Sequence, residues 1–159
     1  MLDLVFEYRR LIGKCELGMG LDLDEIEQLT GLEQRLLADA EFDDDGRPSV
    51  VPRAMVSLPA IVRGDQINDR VELIELGPGG MVCRNAPFIA RGERIDVVVE
   101  LADRSYHFSG VGAWLCDDGD DYKVSIVFVG IPVCVHHVQV SPHEPDVIDE
   151  IADARDAAA

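Results

Sequence analysis

At 159 residues with 47% hydrophobic content, the chain has the length of one compact domain and enough apolar material for a core, which excludes a wholly disordered protein. Its 31 acidic against 14 basic residues give a formal net charge of −17, which argues against wrapping a nucleic-acid polymer or lying on an anionic membrane. Any anionic ligand therefore depends on a local cluster of arginines.

No apolar run reaches the length of a membrane span, and an N-terminus carrying Asp3 and Glu7 lacks the basic-then-apolar order of a signal peptide. Cys15, Cys83, Cys116 and Cys134 are widely spaced with no Cys-x-x-Cys pair, so structural disulfides and a cysteine zinc site are not expected. The expectation is a cytoplasmic protein with reduced thiols.

Leu2, Val5, Phe6, Tyr8, Leu11 and Ile12 recur at mostly helical spacing, and Gly13 is expected to end that helix. Beyond Gly18-Met19-Gly20, Asp22 with Glu25 and Asp24 with Glu27 are each spaced like a capping box. Ile26, Leu29, Leu32, Leu36, Leu37 and Ala40 continue an apolar stripe, so residues 1–42 read as an antiparallel helical hairpin. Such a stripe is core where it packs on the rest of the chain or on a twin, and a docking face where it exceeds one seam. Leu2, Phe6, Leu29 and Leu36 offer more apolar surface than one seam needs, which makes them the candidate protein-contact residues. Residues 43–52 read as a solvated linker; their acids lack the alternation and closing Glu of a calcium loop.

From Arg53 the period changes to two. Ala54, Val56, Leu58, Ala60 and Val62 share one face of a first strand; Val71, Leu73 and Glu75 share a face of the second, with Ile74 and Leu76 opposite. Gly77-Pro78-Gly79-Gly80 then breaks the chain before a third strand over Met81–Arg84. Glycines here permit positive φ and close backbone approach, and their N–H groups can form an anion-binding nest. Ile95, Val97, Val99 and Leu101 alternate in a fourth strand; Tyr106, Phe108 and Trp114 share a face of a fifth, which Gly110 and Gly112 interrupt. After the Asp118-Gly119 turn, Tyr122–Val129 is the sixth. Six short strands predict a mainly β fold, a closed antiparallel barrel over residues 53–140. Residues 141–159 form an acidic tail, with Asp146–Ala158 reading as a closing helix.

Two stretches carry a family resemblance. Arg53-Ala-Met-Val-Ser-Leu-Pro resembles the opening strand of the PilZ domain, the bacterial module known for binding cyclic di-GMP, which begins just after an Arg-x-x-x-Arg motif. Glu75-Leu-Gly-Pro-Gly-Gly-Met resembles its (Asp/Asn)-x-Ser-x-x-Gly turn, and Val111–Leu115 and Val124–Pro132 its last two strands. The resemblance runs from about Arg47 to Val140. It implies a six-stranded PilZ-like barrel and, in the family, two arginines and polar turn residues that grip a stacked cyclic di-GMP dimer. Arginine suits that task because its planar fork pairs with phosphate or with guanine O6/N7 and its face stacks on a purine.

The match is partial. Arg53 fits the second arginine and Gly80 the terminal glycine, but Ser49 stands where the first arginine belongs. Arg47, two residues farther out, substitutes for it only if the chain covers about 7 Å more. Glu75 replaces Asp or Asn, and Gly77 replaces the serine. Two lost charge-assisted hydrogen bonds at about 1.5–3 kcal/mol each weaken binding about a hundredfold or more. The resemblance therefore implies a non-enzymatic signalling or adaptor protein in motility, polarity or cell-surface regulation. It would work through a protein partner or a homo-oligomer, with cyclic di-GMP binding weak or lost. The alternative is a working cyclic di-GMP receptor using Arg47, Arg53 and the turn Glu75–Gly80. His136-His137 and His143 do not read as a metal site, because adjacent strand histidines point to opposite faces. No glycine elbow, His-Glu-x-x-His or phosphate loop organises the Ser, Cys, His and acidic residues for catalysis.

Overall fold

The computed structural model describes residues 1–38, 41–42, 44–45, 48–50 and 53–138. Arg47 and the acidic tail of residues 141–159, with its expected closing helix, lie outside the described residues. Helices α1 (Leu2–Glu16) and α2 (Leu23–Leu36) come first, followed by β1 (Glu41–Phe42) and β2 (Pro48–Val50), which pair with each other alone. The strands expected to form a barrel are β3 (Ala54–Arg63), β4 (Asn68–Leu76), β5 (Gly80–Ala86), β6 (Arg94–Glu100), β7 (Arg104–Asp118) and β8 (Asp121–Phe128). They pair antiparallel in the ring β3-β4-β5-β8-β7-β6, closed by β6 on β3 through Ala60↔Val99 to Arg63↔Asp96. The six-stranded barrel is thus present. A further strand, β9 (Val133–His136), pairs with β7 outside the ring, from Tyr106↔Cys134 to His107↔Val133 and back to Arg104↔His136. The six strands read from the sequence do not include it, although His136-His137 are placed on a strand.

The Asp22 carboxylate accepts from the Glu25 N–H while Glu25 accepts from the Asp22 N–H, so the first of the two capping boxes opens α2. Glu25 also takes a hydrogen bond from Lys14, the largest influence holding its carboxyl below the usual range. Contacts of Lys14 with Glu25 and of Arg10 with Gln28 run in opposite chain directions, which makes the helices an antiparallel hairpin. Gly13 does not end α1, which continues to Glu16. A Cβ at Gly13 would lie 2.5 Å from the Gly130 carbonyl oxygen, so the glycine is there to let the helix touch the turn after β8.

Bulges overturn two face assignments. The register shifts between Leu73 and Glu75, so Leu76 joins Val71 and Leu73 in the core while Glu75 turns toward solvent. A second shift between Gly112 and Trp114 moves Trp114 out, 44% exposed, and brings Leu115 against the core that holds Tyr106 and Phe108. Strict alternation fails at both places because one extra residue reverses every side chain after it.

The barrel core is continuous with the hairpin. Val5, Phe6 and Leu36 belong to the same buried cluster as Leu73, Val97, Phe108 and Ile126. The Phe6 ring meets Tyr106 at 5.0 Å and Phe108 at 6.4 Å, and Phe108 stacks on Phe128 at 4.9 Å. Buried Arg9 pairs with Glu16 at 3.1 Å, donates to the Gly130 carbonyl at 3.3 Å and lies over the Phe128 ring. At the other end of α1 the Tyr106 hydroxyl donates to Asp3, which Arg104 also reaches at 3.4 Å.

Burial first, and then the bond to Asp3, pushes the Tyr106 phenol above its ordinary range. A raised folded-state pKa makes this contribution complete below the ordinary tyrosine value of about 10 and lost progressively above it. The melting temperature should therefore fall as the pH rises above about 10, and fall less in Tyr106→Phe. An identical alkaline decline in the variant would show that this hydroxyl does not carry the effect.

Candidate functional site

Arg53 stands immediately before β3 and Glu75 near the end of β4, where the register sets Met55 opposite Glu75 and Ala54 opposite Leu76. The pairing brings the two motif positions together: Arg53 Nη1 lies 3.7 Å from Glu75 Oε2, with side chains 34% and 30% exposed. A pair this open to solvent contributes about 1 kcal/mol or less to stability. Its chemical consequence is larger. The carboxylate lies beside one guanidinium nitrogen and presents a negative charge to any anion approaching the same fork.

The turn does not form an anion nest. Gly77 N–H donates to the Gly80 carbonyl at 3.0 Å, and the Gly79 carbonyl accepts from Phe128 N–H at 3.0 Å. Among the described residues, positive φ at glycine occurs at Gly18, Gly20, Gly92, Gly119 and Gly130, so the expected left-handed backbone is absent from this turn. Gly77 and Pro78 are buried. A Cβ on Gly80 would stand 2.2 Å from the Ile126 carbonyl oxygen, so this glycine serves the close approach of β5 to β8. The glycine that fits the ligand motif thus has a structural reason of its own. Ser49, at the missing arginine's position, falls in β2.

The candidate protein-contact residues are dispersed by packing. Phe6 and Leu36 are 8% and 5% exposed in the shared core, and Leu2 packs against that core. Leu29 is half-buried. The expected surplus on this stripe is absent because α1 covers the aromatic cluster of the barrel as well as facing α2. Apart from Met1, the large exposed apolar side chains of the hairpin lie near its tip: Leu17, Met19, Leu23 and Ile26.

Cys83 is buried, and desolvation pushes its thiol up to about 12, whereas Cys15 and Cys116 are exposed. His136 lies on β9 with its Nε2 3.9 Å from Cys134 Sγ, and His143 is outside the described residues. A feature that sequence reading missed is the outer-wall groove between Arg63, Asp96, Ser109 and β9. The alternation Val133-Cys134-Val135 was the available signal for that strand, but its shortness hid it.

No protein-family model matches the chain, and no curated protein matches it. Among solved structures it is similar to the Bacillus subtilis inhibitor of motility MotI/DgrA, at 16% identity and a TM-score of 0.41, over 50% of this chain and 41% of that one. It is also similar to the Borreliella burgdorferi PlzA protein, solved in complex with c-di-GMP, at 13% identity and a TM-score of 0.40, over 69% of this chain and 43% of that one. The chain spans less than half the length of either.

Proposed function

We propose that this chain is a non-enzymatic PilZ-like signalling adaptor that acts through protein contacts and has weak or lost affinity for cyclic di-GMP. The observation that carries the reading is the ion pair between Arg53 and Glu75. The family's turn supplies a short Asp or Asn to help hold the ligand; here the longer glutamate reaches back to the arginine and competes with the ligand for it. Gly77 adds no hydroxyl, and its N–H is engaged within the turn. A closed barrel, its core shared with the hairpin, persists without the ligand chemistry, which suits a module retained for its surfaces. By the family resemblance, its context is motility, polarity or cell-surface regulation in the cytoplasm.

Calorimetric titration of the full chain with cyclic di-GMP tests this. No submicromolar binding is expected. A submicromolar dissociation constant that Arg53→Ala abolishes would replace the adaptor with the receptor reading, in which Arg47 and Arg53 close on the ligand together.

A further inference from the structure

Two adjoining depressions on the outer barrel wall, about 470 Å³ and about 300 Å³, share Arg63, Asp96 and Ser109. The first extends to Arg94; the second is lined by Val98, Ile131, Val133 and Val135. Val98 is 3% exposed although it alternates with the inward Val97 and Val99, whereas Val133 and Val135 are 55% and 43% exposed. Among the described residues β9 pairs only with β7, so its other edge is open. That edge carries no lysine or proline of the kind that usually guards one. Arg63 and Arg94 make no ion pair among the described residues, although the chain has 31 acids for 14 bases. Asp96, the acid that lines both depressions, accepts from the Ser109 hydroxyl at 2.6 Å.

We propose that the acidic segment of residues 141–159 docks along this groove, setting Val147, Ile148 and Ile151 on the exposed valines and its carboxylates against Arg63 and Arg94. Three observations point to this occupant. The chain leaves β9 at the rim of the groove, and the residues between Val138 and Val147 span up to about 3.3–3.6 Å each, ample for a site beside the strand. Val147, Ile148 and Ile151 stand at i, i+1 and i+4, the spacing of one helical face. The acids Glu144, Asp146, Asp149, Glu150, Asp153 and Asp156 stand against the single Arg155, so the segment complements the two guanidinium groups that line this groove. Asp65 and Asp96 line the same groove and confine that attraction to the two arginines. Tethering supplies a high local concentration, so a contact of modest intrinsic strength is enough to occupy the site.

Hydrogen exchange of the full chain, read by mass spectrometry over residues 144–156, tests the proposal. In the wild type these amides should exchange about tenfold or more slowly than in Arg63→Glu/Arg94→Glu and in Val133→Ser/Val135→Ser, at a rate independent of protein concentration. All four substitutions fall on exposed side chains, and unchanged circular dichroism would verify that each variant folds. Free exchange of the segment in the wild type would overturn the proposal. So would protection that survives both double variants, because that is a helix standing apart from the groove. Protection that grows with protein concentration would overturn it too, by assigning the groove to a second copy.

Discussion

Phe6→Ala should lower the unfolding free energy by about 3–5 kcal/mol, the range for removing a large buried aromatic side chain. Phe6 is 8% exposed and its ring bridges Tyr106 and Phe108, so its loss removes apolar burial and leaves a cavity between helix and barrel. The neighbours cannot easily collapse into that space. Tyr106 is tied through its hydroxyl to Asp3, and Phe108 is stacked on Phe128. Chemical denaturation of the variant, compared with Leu23→Ala at the hairpin tip, provides the measurement. Leu23 is 84% exposed, so its truncation should change stability by about 0.5 kcal/mol or less. Equal effects at the two positions would mean that the hairpin does not share the barrel core. On the same grounds, a chain lacking residues 1–42 should lose its cooperative unfolding transition, because it would expose the ring faces of Tyr106 and Phe108.

What could be read from the residues was whatever repeats. The helical stripes, the Asp22–Glu25 cap and the alternation through Ile95, Val97 and Val99 all follow from periods of 3.6 or two, and the six-strand ring follows from their order. What could not be read was set by single extra residues and by close approaches. The bulges at Leu73–Glu75 and Gly112–Trp114 exchanged inward and outward positions without any mark in composition. Gly13 resembled a helix stop, but its function is contact with Gly130, two segments that are neighbours only in the folded chain. The candidate site was legible as a set of positions and not as a set of contacts. Arg53 and Glu75 were each identified, but their mutual pairing requires the β3–β4 register.

That pairing defines the strongest functional prediction. Ser49→Arg, Glu75→Asp and Gly77→Ser combined should raise affinity for cyclic di-GMP by about a hundredfold or more, the reverse of losing two charge-assisted hydrogen bonds. Shortening Glu75 by one methylene should draw its carboxylate back from the 3.7 Å contact and return the Arg53 fork to the ligand. The serine restores a hydroxyl at a turn position that does not have positive φ, so the backbone conformation does not oppose it. Its cost comes from burial, since Gly77 is enclosed, and a circular dichroism melt should accompany the calorimetry. Glu75→Gln separates the contributions. It removes the competing charge without rebuilding the motif, and should recover a smaller part of the gain. If the folded triple variant binds no more tightly than wild type, the turn at Gly77–Gly80 is not the counterpart of the family's ligand turn. If Glu75→Gln alone gives the whole increase, the ion pair with Arg53 is what keeps the ligand out, and the missing serine and first arginine matter little.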